Sequence, residues 1–322
     1  MRENVLFVDA DESILNSLKT LFAAEDVTVY LARNAKEALR LMGSSEIALL
    51  ISGNRMSDMS GIELLTVVKR IYPETVKILM ADNDDVPLSF EEAGFDELFC
   101  LVLRPWDNEA LIHIVRDGLE FYRLAISLRE GDEATLLSLA QTIELKDQHT
   151  AGHCARVASY ALMIADQLGL PEETKQQIKY GSWLHDCGKI SVPDTVLNFP
   201  GKLSDAEFST IKKHSLWGAM LARQARLSQT VINIILYHHE CFDGAGYPHG
   251  LRGNNIPLEA RIVAIADIFD AITSKRPYRE PSQWDQAINL MDALGGVDLD
   301  PELMTIFHST IEKGIDKTSS TI

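Results

Sequence analysis

The spacing of apolar residues changes once along this chain, near residue 125, and that change limits the folds open to it. Before this point, short apolar runs alternate with segments in which apolar residues recur at helical spacing. After it, from about residue 133 to 316, the apolar residues follow the helical period almost throughout. Buried strands and amphipathic helices produce these two patterns. A chain of 322 residues with both patterns predicts an α/β domain followed by an all-helical domain.

The first part of the sequence predicts a parallel sheet. The expected strands cover residues 5–8, 27–31, 47–51, 76–80 and 98–103, and the clearest helices cover 13–23, 35–42, 61–71 and 108–122. Strands that are apolar throughout, rather than alternating, are typical of a parallel sheet covered by helices on both faces. Five such βα units in about 120 residues favour a flavodoxin-like doubly wound domain. The helical part that follows has room for about seven helices.

Net charge and composition argue against several classes of binding partner. The net charge is −17, which argues against a broad surface for nucleic acid or anionic lipid. No apolar run reaches the roughly 18 residues of a membrane span, and the N-terminus lacks a signal-peptide core. The four cysteines are widely spaced and contain no CxxC pair, so we expect reduced thiols in a cytoplasmic protein. A small phosphate ligand would need metal ions or a local cluster of Lys and Arg.

Histidine is concentrated in the helical part, where a metal centre is predicted. Eight of the nine histidines lie there: His149, His153, His185, His214, His238, His239, His249 and His308. Asp186 directly follows His185, and a further aspartate, Asp267, lies later in the same part of the sequence. Each histidine alone is more often a core or surface residue than a ligand, but their joint occurrence indicates metal binding. Imidazole and carboxylate donors together suit Mn, Fe or Zn better than Ca.

The donor set predicts two divalent transition metal ions, with Fe or Mn expected. Its members are His153, His185, Asp186, His214, His238, His239 and Asp267. This set exceeds the roughly four ligands of one structural zinc ion, and paired ions in such sites lie about 3.5–4 Å apart. Asp186 is the predicted bridge because it stands in the middle of the set beside His185. Two cations can activate a bridging water and neutralise the charge of a phosphoryl group.

The α/β part resembles response-regulator receiver domains. The segments Phe7-Val8-Asp9, Met56-Ser57-Asp58-Met59-Ser60-Gly61 and Leu103-Arg104-Pro105-Trp106-Asp107 carry the resemblance. Counted back from Gly61, the phosphate-accepting position holds Gly53, and a glycine cannot form an acyl phosphate. Three other pocket positions hold Ala10, Ala81 and Arg104. The resemblance therefore implies a degenerate receiver that is not phosphorylated. Two interpretations of Asp9, Asp11 and Asp58 stay open: a residual cation site, or acidic loop residues at strand ends.

The helical part resembles the HD-GYP family over roughly residues 140–310. The segments that carry the resemblance are Leu184-His185-Asp186-Cys187-Gly188-Lys189, His238-His239-Glu240-Cys241-Phe242-Asp243-Gly244-Ala245-Gly246-Tyr247-Pro248 and Asp267-Ile268-Phe269-Asp270-Ala271. A lone His-Asp pair is a weak signal, but the second segment names the family. The resemblance implies a phosphodiesterase that hydrolyses cyclic di-GMP to linear pGpG, GMP or both, through a hydroxide that bridges the metals.

Further residues are candidates for substrate contacts. Lys189 follows His185 by four residues, so a helix would place it on the same face, within reach of a bound phosphate. We expect Asp186 and Lys189 to be the catalytic pair. Asp270 shares a helix face with Asp267 and is either a substrate contact or a residue behind the ligands. Tyr247 and Arg276 could bind the phosphates or a guanine edge.

One position departs from the family pattern. Some members have a Glu four residues before the first histidine, where it helps to hold a third metal. Here that position is His149, which a helix would place on the same face as His153. The sequence therefore predicts two metals without excluding a third.

The domain division and some alternatives complete the sequence-based account. We expect a receiver-like domain at 1–123, a helical linker at 124–140, a phosphohydrolase domain at 141–316 and a tail at 317–322. The linker either pairs with a second copy or is a solvated spacer, and the receiver could dock a protein partner. The alternative functions are a weakly active sensor or scaffold that binds a cyclic dinucleotide, and an HD phosphohydrolase that acts on another nucleotide.

Overall fold

The computed structural model describes residues 2–82, 84, 98–146, 152–274 and 284–319. The chain divides into two compact units. The first comprises Met1–Arg129 and Arg223–Ala225, and the second comprises Glu130–Ala222 and Arg226–Ile322. The two types of structure predicted from the sequence, α/β and all-α, are both confirmed. None of the described helices combines the length and apolar character needed to cross a bilayer.

The first unit is built on a five-stranded parallel sheet of order β2-β1-β3-β4-β5. Its strands are β1 (Glu3–Val8), β2 (Val27–Ala32), β3 (Leu49–Gly53), β4 (Val76–Asp82) and β5 (Cys100–Arg104). Its helices are α1 (Glu12–Leu21), α2 (Ala35–Ser44), α3 (Gly61–Ile71) and α4 (Asn108–Glu130). This strand order is that of flavodoxin-like domains, as predicted. Strand β3 is buried along its whole length, and β1 and β4 are buried except at one end, which explains why these strands are mostly apolar.

Short polar residues fix where the helices of the first unit begin. The Asp11 carboxylate accepts from the backbone N–H of Ser13 at the start of α1. Ser60 and Glu63 form a reciprocal capping box at the start of α3. Such caps satisfy backbone N–H groups that the first turn leaves without intrahelical partners.

In the described residues of the second unit, the regular secondary structure is helical apart from one isolated bridge between Gly295 and Leu299. Its α-helices are α5 (Glu133–Glu144), α6 (His153–Gln167), α7 (Glu172–Leu184), α8 (Asp194–Leu197), α9 (Asp205–Lys212), α10 (His214–Gln224), α11 (Gln229–Tyr237), α12 (Leu258–Thr273), α13 (Trp284–Asp292) and α14 (Pro301–Ser319). Two short 3-10 helices cover Cys187–Ser191 and Gly253–Asn255. The expectation of about seven helices was too low, since short helices such as α8 and α9 bury too few residues to produce a clear period.

Helix α12 lies in the core of the second unit. The consecutive residues Ile262, Val263, Ala264, Ile265 and Ala266 are all buried, because α12 packs against α6, α7, α11, α13 and α14. A helix that is apolar on all sides is typical of a buried position. The same helix then carries two acidic side chains in its last two turns, so its carboxylates lie inside the unit.

Candidate metal centre

Six of the seven predicted ligands lie at the ends of four helices. His153 begins α6 and His214 begins α10, while the pairs His185–Asp186 and His238–His239 directly follow α7 and α11. Asp267 lies within α12. The structure brings all seven together, although they span more than a hundred residues of sequence. A helix end directs a side chain inward while the rest of the helix packs on the core.

Asp186 belongs to two groups of potential ligands. One group contains His153, His185 and Asp186, and the other contains Asp186, His214, His238 and His239, with the ligand atoms of each group within 4.8 Å of one another. The Oδ2 atom of Asp186 lies 3.4 Å from Nε2 of His185, and its Oδ1 atom lies 3.4 Å from Nε2 of His214. The two carboxylate oxygens therefore face different groups, as a carboxylate that bridges two cations requires.

Backbone carbonyls orient three of the histidine rings. The Nδ1 atom of His185 is 2.7 Å from the carbonyl oxygen of Ser182, and Nδ1 of His214 is 2.8 Å from that of Ile211. Nδ1 of His238 lies 3.0 Å from the carbonyl oxygen of Ile235. Since a carbonyl can only accept, each Nδ1 carries the proton and donates it. The Nε2 lone pairs then face the centre, where a metal ion can use them.

His153 is held by carboxylates on both sides of its ring. Its Nδ1 atom lies 2.7 Å from Oδ2 of Asp270, and its Nε2 atom lies 3.2 Å from Oδ1 of Asp267. Arg156 in turn donates from Nε to Oδ1 of Asp270 at 2.6 Å, and the Ser274 hydroxyl donates to the same oxygen at 3.0 Å. Asp270 is 1% exposed, and both of its carboxylate oxygens are hydrogen-bonded to these neighbours.

Two histidines and one carboxylate of the centre are held in the ligand forms that metals require. Burial lowers the pKa of His239 to about 4 and holds the pKa of His238 well below its usual value. Burial would raise the pKa of Asp186, but the charge of Lys189 and then that of His185 hold it well below the usual range. At neutral pH these two histidines are therefore neutral and the carboxylate is ionised, which are the states that bind metal ions.

The pKa of His153 shows how strongly the centre favours positive charge. Burial alone would lower this pKa, but hydrogen bonds to Asp267 and Asp270 raise it to about 10. The hydrogen bond with His153, together with the charges of His185 and His153, lowers the pKa of Asp267 against the effect of its burial. A divalent cation would supply that positive charge and displace the protons, so the residues present fit a metal site.

Lys189 lies at the centre, but not for the reason given by the sequence. The prediction that it shares a helical face with His185 was wrong, because α7 ends at Leu184 and Lys189 lies in the 3-10 helix that follows. Its Nζ atom is 2.8 Å from Oδ2 of Asp186. The 3-10 turn brings the ammonium group directly to the carboxylate that is the candidate bridge.

The loop after α11 places Tyr247 against the centre. Its ring stacks on that of His239, with 4.8 Å between centroids and 29° between planes. The buried carboxylate of Glu240 shapes this loop by accepting from the backbone N–H groups of His249 and Leu251 at 2.8 and 2.9 Å. Gly246 leaves no room for a side chain, since a Cβ atom there would lie 2.1 Å from the backbone N of Cys241.

One close contact between two backbone segments was not predicted from the sequence. A Cβ atom on Gly188 would lie 1.9 Å from the carbonyl oxygen of His214 and 2.4 Å from the backbone N of Gly218. The 3-10 helix and α10 therefore approach more closely than any side chain would allow, which brings Asp186 next to His214. The signal was present as Gly188 inside the His-Asp motif and Gly218 four residues after His214. Arg156 was missed too, although it follows His153 by three residues on α6.

Two predicted site residues, His149 and Arg276, lie outside the described residues. Of the remaining histidines, His249 packs beside the ring of Tyr237, with 5.7 Å between centroids. His308 lies 3.2 Å from Asp292. Neither belongs to the groups of potential ligands.

The receiver pocket of the first unit is closed by an ion pair. Asp9 is buried directly after β1 and pairs with Arg104 at the end of β5. A Cβ atom on Gly53 would lie 2.6 Å from Oδ2 of Asp9 and 2.9 Å from the Arg104 guanidinium. Asp11 and Asp58 cap helices: Asp58 accepts from the backbone N–H groups of Ala35 and Lys36 at the start of α2. The interpretation as structural acidic residues therefore has the stronger support.

The fold and the site together define an HD domain protein with an N-terminal receiver domain. Residues 138–303 match the HD domain family model, and residues 5–116 match the model of the response regulator receiver domain. The chain belongs to the HD domain family.

Three relatives of this class have names that state an activity. The chain is 35% identical to the cyclic di-GMP phosphodiesterase response regulator RpfG of Xanthomonas campestris, over 92% of this chain and 85% of that protein. It is 29% identical to a cyclic di-GMP phosphodiesterase of Thermotoga maritima, over 94% of this chain and 89% of the relative. It is also 37% identical to the 3'3'-cGAMP-specific phosphodiesterase 2 of Vibrio cholerae, over 67% of this chain and 43% of that relative.

Proposed function

We propose that this protein is a metal-dependent phosphodiesterase that hydrolyses cyclic di-GMP to linear pGpG, GMP or both. The observation that carries the proposal is the position of Asp186, whose two oxygens face two separate groups of histidines. Relatives that match nearly the whole chain are named for cyclic di-GMP, which supports this substrate over other nucleotides.

The seven clustered side chains are proposed to hold two divalent ions, with Fe or Mn expected from their mixture of imidazole and carboxylate donors. When bound, such ions lower the pKa of water and neutralise charge on a phosphoryl group. The protein itself orients these ligands, because backbone carbonyls hold the rings of His185, His214 and His238 with Nε2 toward the centre. A third ion would need a ligand such as His149, which lies outside the described residues.

Lys189 and Tyr247 are proposed to act on the phosphate that is cleaved. Lys189 is held beside Asp186, so its ammonium group can bind a phosphoryl oxygen at the candidate bridge. Tyr247 borders the same space through its contact with His239. Burial raises the pKa of the Tyr247 hydroxyl above its usual value, so it stays protonated and can donate a hydrogen bond. For Asp270 we propose an orienting role in place of a substrate contact, because its buried carboxylate is occupied by His153 and Arg156.

A turnover assay across a metal panel tests the function. Protein purified without oxygen is loaded with Fe, Mn or Zn and given cyclic di-GMP or 3'3'-cGAMP, and the products are separated by chromatography. We expect conversion of cyclic di-GMP with Fe or Mn, and none in the Asp186→Ala variant. Tight dinucleotide binding without turnover under every metal would favour the sensor instead. Faster conversion of 3'3'-cGAMP would contradict the proposed substrate, and turnover only of other nucleotides would favour another HD phosphohydrolase.

For the N-terminal part we propose a docking or dimerisation role without phosphorylation, with residues 1–123 as the receiver-like domain and 124–140 as the linker. The support is the Asp9–Arg104 ion pair, which occupies the pocket where a phosphorylated receiver holds a metal ion. Light scattering of the full chain tests dimerisation: a monomer at all concentrations would leave docking to another protein as the remaining role.

A further inference from the structure

The ammonium group of Lys212 lies next to the candidate metal centre, beside two aromatic rings. The Nζ atom of Lys212 is 4.8 Å from the ring centroid of Phe208 and 5.3 Å from that of Tyr247. Within the described part of the chain, no carboxylate forms an ion pair with Lys212. Because Lys212 lies over the ring of Tyr247, a cation stands beside the candidate metal centre, where it can bind an anionic ligand in a chain with a net charge of −17.

The position of Lys212 relates it to the candidate metal ligands. Its ammonium group lies over the ring of Tyr247, and that ring stacks on His239. One aromatic ring therefore separates Lys212 from the group that contains His239 and Asp186. Lys189 is already engaged by Asp186 at 2.8 Å. Lys189 therefore contacts the candidate bridge directly, whereas Lys212 lies beyond the ring of Tyr247, so the two lysines can contact different phosphates of one ligand.

Phe208 adds an apolar surface to this cation. It lies one turn before Lys212 on α9 and is 48% exposed. An exposed aromatic ring can stack on a nucleobase, and a contact of this kind tolerates any base because every base has a flat π-face. A lysine ammonium group is a suitable partner for a phosphate oxygen. Together, the ammonium group and the aromatic ring complement the phosphate and the base of one nucleotide.

We propose that Lys212 and Phe208 form a second nucleotide subsite for the cyclic dinucleotide. Lys212 binds the phosphate that is not being cleaved, and the Phe208 ring stacks on a purine base of the same ligand. This inference rests on the proposed function, since it assigns to that reaction the half of the substrate that lies away from the metals. Because these side chains touch no bond that breaks, they affect binding more than the chemical step.

Lys212→Met tests the cation, and Lys213→Met is the matched control. Lys213 is the adjacent, exposed residue at the end of α9. The loss of one charged contact should raise KM for cyclic di-GMP about tenfold in Lys212→Met, with kcat nearly unchanged. Lys213→Met should behave like the wild type. Turnover of bis(4-nitrophenyl) phosphate, which has neither a second phosphate nor a base, should be equal in all three proteins and reports an intact fold and metal centre.

Phe208→Leu and Phe208→Tyr test the stacking contact. Leucine keeps an apolar side chain but cannot stack, so we expect KM for cyclic di-GMP to rise about fivefold or more, while tyrosine should retain the wild-type value. An unchanged KM in Lys212→Met and Phe208→Leu would overturn the subsite and leave Lys212 as a packing contact of Tyr247. An equal loss with both substrates would also overturn it. Wild-type protein that neither binds nor hydrolyses cyclic di-GMP, but cleaves the nitrophenyl ester, would refute the proposed substrate instead.

Discussion

Oδ2 of the buried Asp270 carboxylate lies 2.7 Å from Nδ1 of His153. The opposite nitrogen of the same ring faces Asp267, which precedes Asp270 by one turn of α12. The ring is therefore held between two carboxylates of one helix. Metal-binding histidines commonly donate their second ring N–H to a carboxylate or a carbonyl, which fixes the ring and increases its basicity.

Asp270→Asn is expected to weaken metal binding without loss of the fold. The amide keeps the shape of the carboxylate but removes its charge, so His153 becomes a poorer ligand. Losses of about 10- to 100-fold in metal affinity are typical for such changes. Competition with a chromophoric chelator measures this affinity. Asp166→Asn, at an exposed carboxylate of α6, is the control. Equal affinities in both variants would show that Asp270 does not support His153.

Gly188→Ala should destabilise the second unit and disturb the centre. The added methyl group meets backbone atoms of His214 and Gly218, which cannot rotate away as a side chain would. We expect a loss of about 1–3 kcal/mol or more in the free energy of unfolding, together with reduced metal content. Gly43→Ala is the control: it lies in α2, and its Cβ would meet only the Tyr72 hydroxyl, at 3.7 Å. A stability equal to wild type in Gly188→Ala would contradict the close packing.

Gly53→Asp should not restore phosphorylation of the receiver. The new carboxylate would lie against Asp9 and Arg104, and it would pair with the guanidinium instead of a metal ion. The pocket also lacks the hydroxyl and the lysine that respond to a phosphate, since Ala81 and Arg104 hold those positions. Intact mass after treatment with acetyl phosphate should be unchanged in the wild type and in the variant. A stable addition of one phosphate to either protein would refute this account of the pocket.

Asp58 is expected to make the start of α2 sensitive to acid. Hydrogen bonds from the backbone N–H groups of Lys36 and Ala35 lower the pKa of Asp58. A carboxyl group whose pKa is lower in the folded protein stabilises it above the unfolded pKa, and this contribution is lost as pH falls through the folded value. The α2 amides of Asp58→Ala should therefore exchange hydrogen faster than wild type at neutral pH. The difference should narrow below about pH 4, whereas a difference independent of pH would contradict the assignment.

The sequence was sufficient to predict the fold because its strands are apolar throughout and its helices are periodic. The clustering of the seven candidate ligands could be predicted for a different reason: histidine and aspartate occur together in recognisable segments. The sequence could not reveal how these residues are oriented. The position of Lys189 was assigned to an α-helix because spacing alone does not distinguish an α-turn from a 3-10 turn.

The residues behind the ligands were the hardest to predict. Glu240 and Gly246 stand inside a recognised segment, but their contacts are with backbone atoms of the loop, which no residue pattern encodes. Arg156 acts through Asp270, more than a hundred positions away. Lys212 and Phe208 form an ordinary i, i+4 pair on a short helix, so only the position of Tyr247 relates them to the centre.

The metal content of Asp186→Ala tests the central claim most directly. If Asp186 bridges two ions, its loss removes a ligand from both, whereas the loss of a ligand to one ion should leave the other in place. Elemental analysis of wild type and variant, both loaded with Mn and separated from free metal, gives the number of ions per chain. We expect about two ions in the wild type and a loss of more than one equivalent in Asp186→Ala. A variant that retains the wild-type metal content would contradict the bridging role and the two-metal centre built on it.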